Sequence, residues 1–304
     1  MSDIVVLDGG LGQEIQKRSN EAAHPLWSVK VMFEKPELVI QVHNDFIRNG
    51  AKVICLNTYT ATRTRMFRHG FGNKLEEAYR KAIKLARKSI SETTSIDDSV
   101  QLAGCLPPLV SSYVAEVSMN FKNSLEEYRQ LVDFQKNDVN LFLIETMSNI
   151  EEARAAIRAV KETDKPVFVS LTLKDHNSNR LRSGEELNKA IEELDFESPD
   201  GIMLNCSSPE TITRAMPYLS KLGIPFGGYA NGFKSVEPLT PGSTVDNLSS
   251  RKELTPENYF KFVTEWINDG ATIIGGCCEI SPIHIGYICK MLELNGHNIT
   301  KIKI

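Results

Sequence analysis

The chain has 304 residues, 41% of them hydrophobic and 24% charged, ordinary globular composition with apolar material for a large core. A net charge of −4 without long blocks of like charge leaves no electrostatic footprint for nucleic acid or an anionic membrane. No apolar run reaches the roughly 18 residues of a membrane span, and no basic region followed by an apolar leader opens the sequence, so a soluble cytoplasmic protein is expected. Its six cysteines then belong to a reducing compartment rather than to a disulfide framework.

Ile4 to Asp8 reads as a first strand. Leu11 to Lys35 forms an insertion before the first full helix, which Pro36 opens and Gly50 stops, with Leu38, Val39, Val42, Phe46 and Ile47 as its apolar stripe. Further strands follow at Lys52 to Asn57, Val100 to Cys105, Leu141 to Glu145, Pro166 to Thr172, Gly201 to Asn205, Ile224 to Tyr229 and Thr272 to Gly276. Helices between them carry start signals: Ser124 with Glu127, Ser148 with Glu151 and Ser183 with Glu186 fit capping boxes. Ser208-Pro209, Thr255-Pro256 and Ser281-Pro282 place a capping hydroxyl before a first-turn proline, and Gly223 and Gly270 stand where helices stop.

Eight strands in alternation with helices, and no linker, indicate an α/β protein: a single (β/α)8 TIM barrel over residues 1–304. An open doubly wound sheet is the alternative, but Asp8-Gly9-Gly10-Leu11-Gly12 lacks the spacing of a phosphate-binding loop. Asn231 to Leu254, rich in Gly, Pro, Ser and Thr after the seventh strand, reads as a lid or substrate loop, or as a plain surface loop.

In a barrel, residues at the C-terminal strand ends converge on one mouth. Here they are Asp8, Asn57 with Thr58, Cys105, Glu145 with Thr146, Thr172, Asn205 with Cys206, Tyr229 with Asn231, and Cys277 with Cys278. Cys206 after the sixth strand and Gly275-Gly276-Cys277-Cys278 after the eighth can aim three thiolates at one ion. Soft sulfur donors favour Zn2+, and three protein ligands leave a fourth position for substrate. The glycines would let backbone approach the metal. Buried packing thiols, or a vicinal Cys277–Cys278 disulfide, are the plainer readings. Cys55 and Cys289 read as packing residues, and Cys105 as ambiguous. Zinc on three thiolates suits keeping an incoming thiol deprotonated, which implies transfer of a methyl group to sulfur. Glu145 can accept a substrate ammonium or merely serve a helix end, and Asp8-Gly9-Gly10 offers a carboxylate and backbone amides or merely a turn. Asn57 and Thr58 can add hydrogen bonds. Trp27, Tyr113 and Tyr229 can face a cationic donor or pack. Two rival classes stay open: a barrel lyase or hydrolase with a metal-bound water, and a non-enzymatic zinc or thiol redox sensor.

Leu7-Asp8-Gly9-Gly10, Leu26-Trp27-Ser28, Glu145-Thr146, Asn205-Cys206 and Gly275-Gly276-Cys277-Cys278, spread over nearly the whole chain, resemble the homocysteine S-methyltransferases. The resemblance implies Zn2+ on Cys206, Cys277 and Cys278, catalysis by these with Glu145, and homocysteine as acceptor, giving methionine. It implies substrate contacts from Asp8, Gly9, Gly10, Trp27, Asn57, Thr58, Glu145, Thr146, Asn205 and Tyr229. The partners are then homocysteine and a small methyl donor, in a monomer or weak homo-oligomer. Leu26-Trp27-Ser28-Val29-Lys30 and Ser170-Leu171-Thr172-Leu173-Lys174-Asp175 resemble the compact S-methylmethionine type, as does the lack of a cobalamin module and of a long C-terminal arm. Betaine and dimethylsulfoniopropionate are the alternative donors. Gly104-Cys105-Leu106-Pro107-Pro108 and Gly228-Tyr229-Ala230-Asn231-Gly232 depart from that subgroup's pattern, both at the expected mouth.

Overall fold

The computed structural model describes residues 2–94 and 100–303, Val117 by its backbone alone. The first half of the chain runs β1 (Asp3–Val6), α1 (Leu11–Ser19), α2 (Trp27–Glu34), α3 (Pro36–Arg48), β2 (Val53–Cys55), α4 (Arg63–Arg68), α5 (Leu75–Thr93), β3 (Gln101–Leu106), α6 (Phe121–Asp133), β4 (Leu141–Met147) and α7 (Ile150–Lys161). The second half runs β5 (Val167–Leu171), β6 (Leu173–Lys174), β7 (Asn177–Leu181), α8 (Leu187–Asp195), β8 (Gly201–Asn205), α9 (Pro209–Leu219), β9 (Phe226–Tyr229), α10 (Pro256–Asn268), β10 (Ile273–Ile274), α11 (Pro282–Leu294) and β11 (Asn298–Thr300).

All eight expected strands form, and they pair in parallel in the order β1, β10, β9, β8, β5, β4, β3, β2. Leu7 bridges Val53, with Asp8 N–H on Val53 O at 2.9 Å and Lys52 N–H on Val6 O at 2.8 Å, so β1 meets β2 and the ring closes. Closure removes both free edges, and the helices around it bury the strands on their outer face. This is the (β/α)8 barrel that the alternation implied, and the open-sheet alternative falls.

Three strands are additions to the expected pattern. β6 and β7 make a short antiparallel hairpin beyond β5, and its polar, partly exposed residues carry no apolar alternation to announce it. β11 pairs with Asp3, Ile4 and Val5 of β1 and so fills the lower part of the seam that Leu7 closes above. The Gln101 side chain then brackets the backbone of Ile302, donating at 3.0 Å and accepting at 2.8 Å.

Helix starts follow local chemistry, with some expected caps displaced. Ser208 and Thr255 accept from Thr211 N and Asn258 N as expected, and the Ser281 N–H donates to the His284 ring nitrogen. For α6 and α7, however, Asn120 and Asn149 take the capping role, because their amide oxygens reach the free amides of Asn123 and Glu152 one turn ahead. Ser124 lies inside α6. Ser148 ends up buried without a side-chain partner, and Ser183 bonds Glu185 in the turn before α8. The stretch from Leu11 to Lys35 is an insertion only in the sense of preceding α3: it folds into α1 and α2, joined through a left-handed Asn20. Gly50, Gly223 and Gly270 have φ of 98°, 71° and 102°, the left-handed exits expected after helices.

Candidate active site

The C-terminal ends of the strands surround a cavity of about 170 Å3, room for amino-acid-sized reactants rather than a polymer. Asp8, Cys55, Cys105, Glu145, Cys206, Tyr229, Cys277 and Cys278 are on its wall, and so are Leu239, Thr240 and Val245 from the long segment after β9. That segment does act as a cover: Phe233 and Val236 are buried on Cys206 and Cys278, with Leu239, Val245, Leu248, Trp27 and Tyr113 packed around them. The thiols therefore lie under an apolar layer separate from the barrel core.

Cys206, Cys277 and Cys278 place their sulfurs within 4.8 Å of one another. Strand pairing brings them together. Cys206 N–H donates to Tyr229 O at 3.2 Å, Cys277 N–H to Ala230 O at 2.9 Å, and Gly232 N–H to Cys278 O at 2.8 Å, so the end of β9 and the residues just after it serve as the bridge. Cys206 has φ of 46°, an unfavourable conformation for a residue with a Cβ, and it turns its sulfur into the mouth. Cys206 and Cys277 are joined in a disulfide with Cα atoms 5.7 Å apart, and Cys278 is a free thiol. This differs from the expected three free thiols and from the vicinal alternative. Opening that bond yields three sulfurs that suit a tetrahedral thiophilic ion, for which sulfurs about 2.3 Å from the metal stand about 3.8 Å apart. Burial pushes the Cys278 thiol up to about 12, so a nearby cation is what would deprotonate it.

The paired glycines serve packing rather than metal access. A Cβ on Gly276 would stand 2.2 Å from the Ile280 side chain, and one on Gly275 2.7 Å from Leu7. Gly9 and Gly10 are on the cavity wall, but the Gly10 amide is engaged with Ile280 O at 2.8 Å, so it is not offered to a substrate.

The same cavity wall holds an acidic bay. Glu145 Oε2 accepts from Cys105 Sγ at 3.2 Å and from Cys55 Sγ at 3.6 Å, while Oε1 accepts from Tyr229 Oη at 3.3 Å. Tyr229 is braced in turn by Ser170 at 2.6 Å. None of these partners is positively charged. Burial raises the Glu145 pKa against the pull of these hydrogen bonds. Asp8, whose carboxylate accepts the Cys55 amide at 2.9 Å, is raised well above the carboxylate range by burial and by Glu145. Among the described residues, no positively charged side chain hydrogen-bonds Glu145 or Asp8.

The geometry separates the sequence candidates. Asp8, Gly9, Gly10, Trp27, Asn57, Glu145, Thr146 and Tyr229 reach the cavity wall with the three cysteines. Thr58 and Asn205 do not: Thr58 is fully buried, and Asn205 holds Thr146 from behind, accepting its N–H and donating to its hydroxyl, both at 3.0 Å. Asn57 donates to Ser28 O at 3.1 Å. Cys55, read from sequence as packing, instead reaches Glu145, because β2 ends at Cys55 rather than Asn57 and so makes it a strand-end residue. Cys105 joins it, and Cys289 packs against Gly50. Tyr113, an aromatic candidate, donates to Cys206 Sγ at 3.2 Å and lies under the Arg182 guanidinium at 5.1 Å. Arg182 had no signal of its own in the sequence.

A closed parallel barrel with cysteines and carboxylates converging at its C-terminal mouth defines an active-site barrel of enzyme type. Residues 5–292 match the family model described as homocysteine S-methyltransferase, and the chain belongs to that family. It is a methyltransferase, and the family reaction is methyl transfer to homocysteine. A selenocysteine methyltransferase of Astragalus bisulcatus is 30% identical over 95% of this chain and 92% of that protein. A betaine-homocysteine S-methyltransferase of Drosophila melanogaster is 28% identical over 95% and 94%. Among solved structures, the metallated form of the homocysteine methyltransferase MmuM from Escherichia coli shares the fold with a TM-score of 0.80, at 24% identity over 95% of this chain and 96% of that one. Among the described residues, no helix is long and apolar enough to cross a membrane.

Proposed function

We propose that the chain makes methionine by moving a methyl group from a sulfonium or quaternary ammonium donor, S-methylmethionine foremost, to the sulfur of homocysteine. One observation carries the reading: three clustered sulfurs and the buried Glu145 carboxylate, which no described cation hydrogen-bonds, line one small covered cavity. An amino-acid thiol bound with its sulfur at the cysteines can direct its ammonium to Glu145. Once the Cys206–Cys277 bond is reduced, Cys206, Cys277 and Cys278 would hold Zn2+. Zinc there supplies the positive charge that keeps a substrate thiol deprotonated at neutral pH.

The remaining work falls to side chains. Tyr229 steadies Glu145 for the ammonium. Trp27, on the wall, is placed for a cation-π contact of about 0.5 to 2 kcal/mol with a cationic donor, whereas the Tyr59 ring already carries the Arg65 guanidinium at 5.6 Å. Phe233 and Val236 exclude water from the sulfurs, which favours attack by sulfur over hydrolysis of the donor. The substrate sulfur's lone pair forms the new S–C bond while the donor's bond to that methyl breaks, and the donor leaves with the electron pair, neutral at that atom. The chain acts as one barrel unit over residues 1–304, a monomer or weak homo-oligomer, in the cytoplasm, whose reducing poise keeps Cys206 and Cys277 apart.

The test is reduced, zinc-loaded protein with homocysteine and, separately, S-methylmethionine, betaine, dimethylsulfoniopropionate and S-adenosylmethionine, with methionine quantified. The greatest yield is expected with S-methylmethionine; a greater yield with betaine or dimethylsulfoniopropionate reassigns the donor, and none with any donor refutes the reading. Glu145→Ala is expected to raise the KM for homocysteine about tenfold or more, as for a lost charge-assisted hydrogen bond. An unchanged KM removes Glu145 from ammonium binding.

A further inference from the structure

The acidic bay contains a second complete donor set. Cys55, Cys105 and Glu145 place two sulfurs and a carboxylate oxygen within 4.8 Å of one another. Both thiols are buried, and each is already on the same oxygen, Glu145 Oε2, at 3.6 and 3.2 Å. A tetrahedral ion with sulfurs at about 2.3 Å and oxygen at about 2.0 Å requires S···O separations of about 3.5 Å, so the set is near ligation geometry. The frame is rigid as well. The three residues come from neighbouring strands in register, Cys55 opposite Ala103 and Cys105 opposite Leu143, so no loop has to fold to assemble them. Supporting contacts are in place: Tyr229 donates to the other Glu145 oxygen, and Asp8 accepts the backbone amide of Cys55 and so holds that residue in position.

We propose that Cys55, Cys105 and Glu145 form a second site for a soft divalent cation of the zinc and cadmium class, distinct from the Cys206, Cys277 and Cys278 set in the same cavity. Binding forms two metal–sulfur bonds and one metal–oxygen bond, and the thiol protons leave to solvent. Insofar as Glu145 receives the homocysteine ammonium, which rests on the function proposed above, an ion here competes with substrate. The site is therefore inhibitory or protective, a sink for thiophilic metal rather than part of methyl transfer.

The test is anaerobic titration of the reduced full-length protein with Cd2+ or Co2+, following the thiolate-to-metal charge-transfer absorbance. Two equivalents per chain are expected for the wild type, one for the Cys55→Ser/Cys105→Ser variant, and one for the Cys206→Ser/Cys277→Ser/Cys278→Ser variant. Glu145→Gln, which keeps all five sulfurs, is expected to weaken only one equivalent, by about tenfold or more. A wild type that saturates at one equivalent, retained in Cys55→Ser/Cys105→Ser and unaffected by Glu145→Gln, overturns the second site. A triple variant that keeps the full wild-type stoichiometry overturns instead the metal set proposed for methyl transfer, so the two failures are distinct.

Discussion

Thr146 shows how single residues hold the site in shape. It follows Glu145 with φ of 62°, a conformation that costs a β-branched residue about 1 to 3 kcal/mol. Trp27, Tyr113 and Cys206, also on the cavity wall, share this left-handed geometry, at 51°, 67° and 46°. Asn205 offsets the strain at Thr146 through its two hydrogen bonds, which its neighbour's backbone and hydroxyl cannot replace from water in a buried position. Asn205→Ala is therefore expected to destabilise the fold by about 1 to 3 kcal/mol, read as a lower melting temperature, and to raise the KM for homocysteine as Glu145 loosens. A melting temperature equal to wild type would show that Thr146 needs no brace. The sequence marked Asn205 as important by its place at a strand end, but a strand end does not reveal whether its side chain turns to the cavity or to a neighbouring strand.

At the scale of elements, the hairpin of β6 and β7 and the segment after β9 act as one strap. Arg182 of the turn after β7 pairs with Asp175 at 2.7 Å, each side chain only 6% exposed. Asp175 also accepts from the Ser235 hydroxyl at 2.6 Å and the Val236 amide at 2.9 Å. Burial opposes the charge on Asp175, yet Arg182, Ser235 and Val236 hold its pKa below the ordinary value. The far end is fastened by Arg251, bidentate to Glu210 at 2.8 and 2.7 Å. Between these anchors, Phe233 and Val236 are kept on the thiols. Asp175→Ala leaves Arg182 buried without its partner, which is expected to cost about 3 to 5 kcal/mol and to expose 233–250. Limited proteolysis and amide exchange check this: cleavage or exchange in that stretch no faster than wild type would show that the cover holds without Asp175. The sequence placed the long segment at the mouth from its length and composition. It did not reveal the hairpin, because polar β-turn residues read as loop until a partner strand is known.

For the whole molecule, a buried histidine is one source of acid sensitivity. His43 of α3 is fully buried with neither ring nitrogen hydrogen-bonded among the described residues, and burial pushes its pKa from 6.5 down to about 4. Between those values the unfolded chain takes up a proton that the folded chain refuses. Stability is thus full above pH 6.5 and lost as pH falls towards 4, by about 3 kcal/mol from this group. His43→Leu is expected to flatten that part of the pH dependence, compared by urea midpoints at pH 7 and 4.5; parallel losses in both proteins would assign the sensitivity elsewhere. What the sequence determined alone was the set of eight strands, the starts of α3, α9, α10 and α11, the glycine stops at Gly50, Gly223 and Gly270, and the placing of Cys206, Glu145, Cys277 and Cys278 towards the strand ends. These are written in local chemistry, in apolar runs, capping hydroxyls, prolines and glycines. Only the tertiary structure decided that Cys206 bonds Cys277 across 71 residues, that Cys55 and Cys105 meet Glu145, and that β11 fills the seam beside β1. Those outcomes depend on strand stagger and tilt, which exist only once the ring has closed and set which side chains face one another.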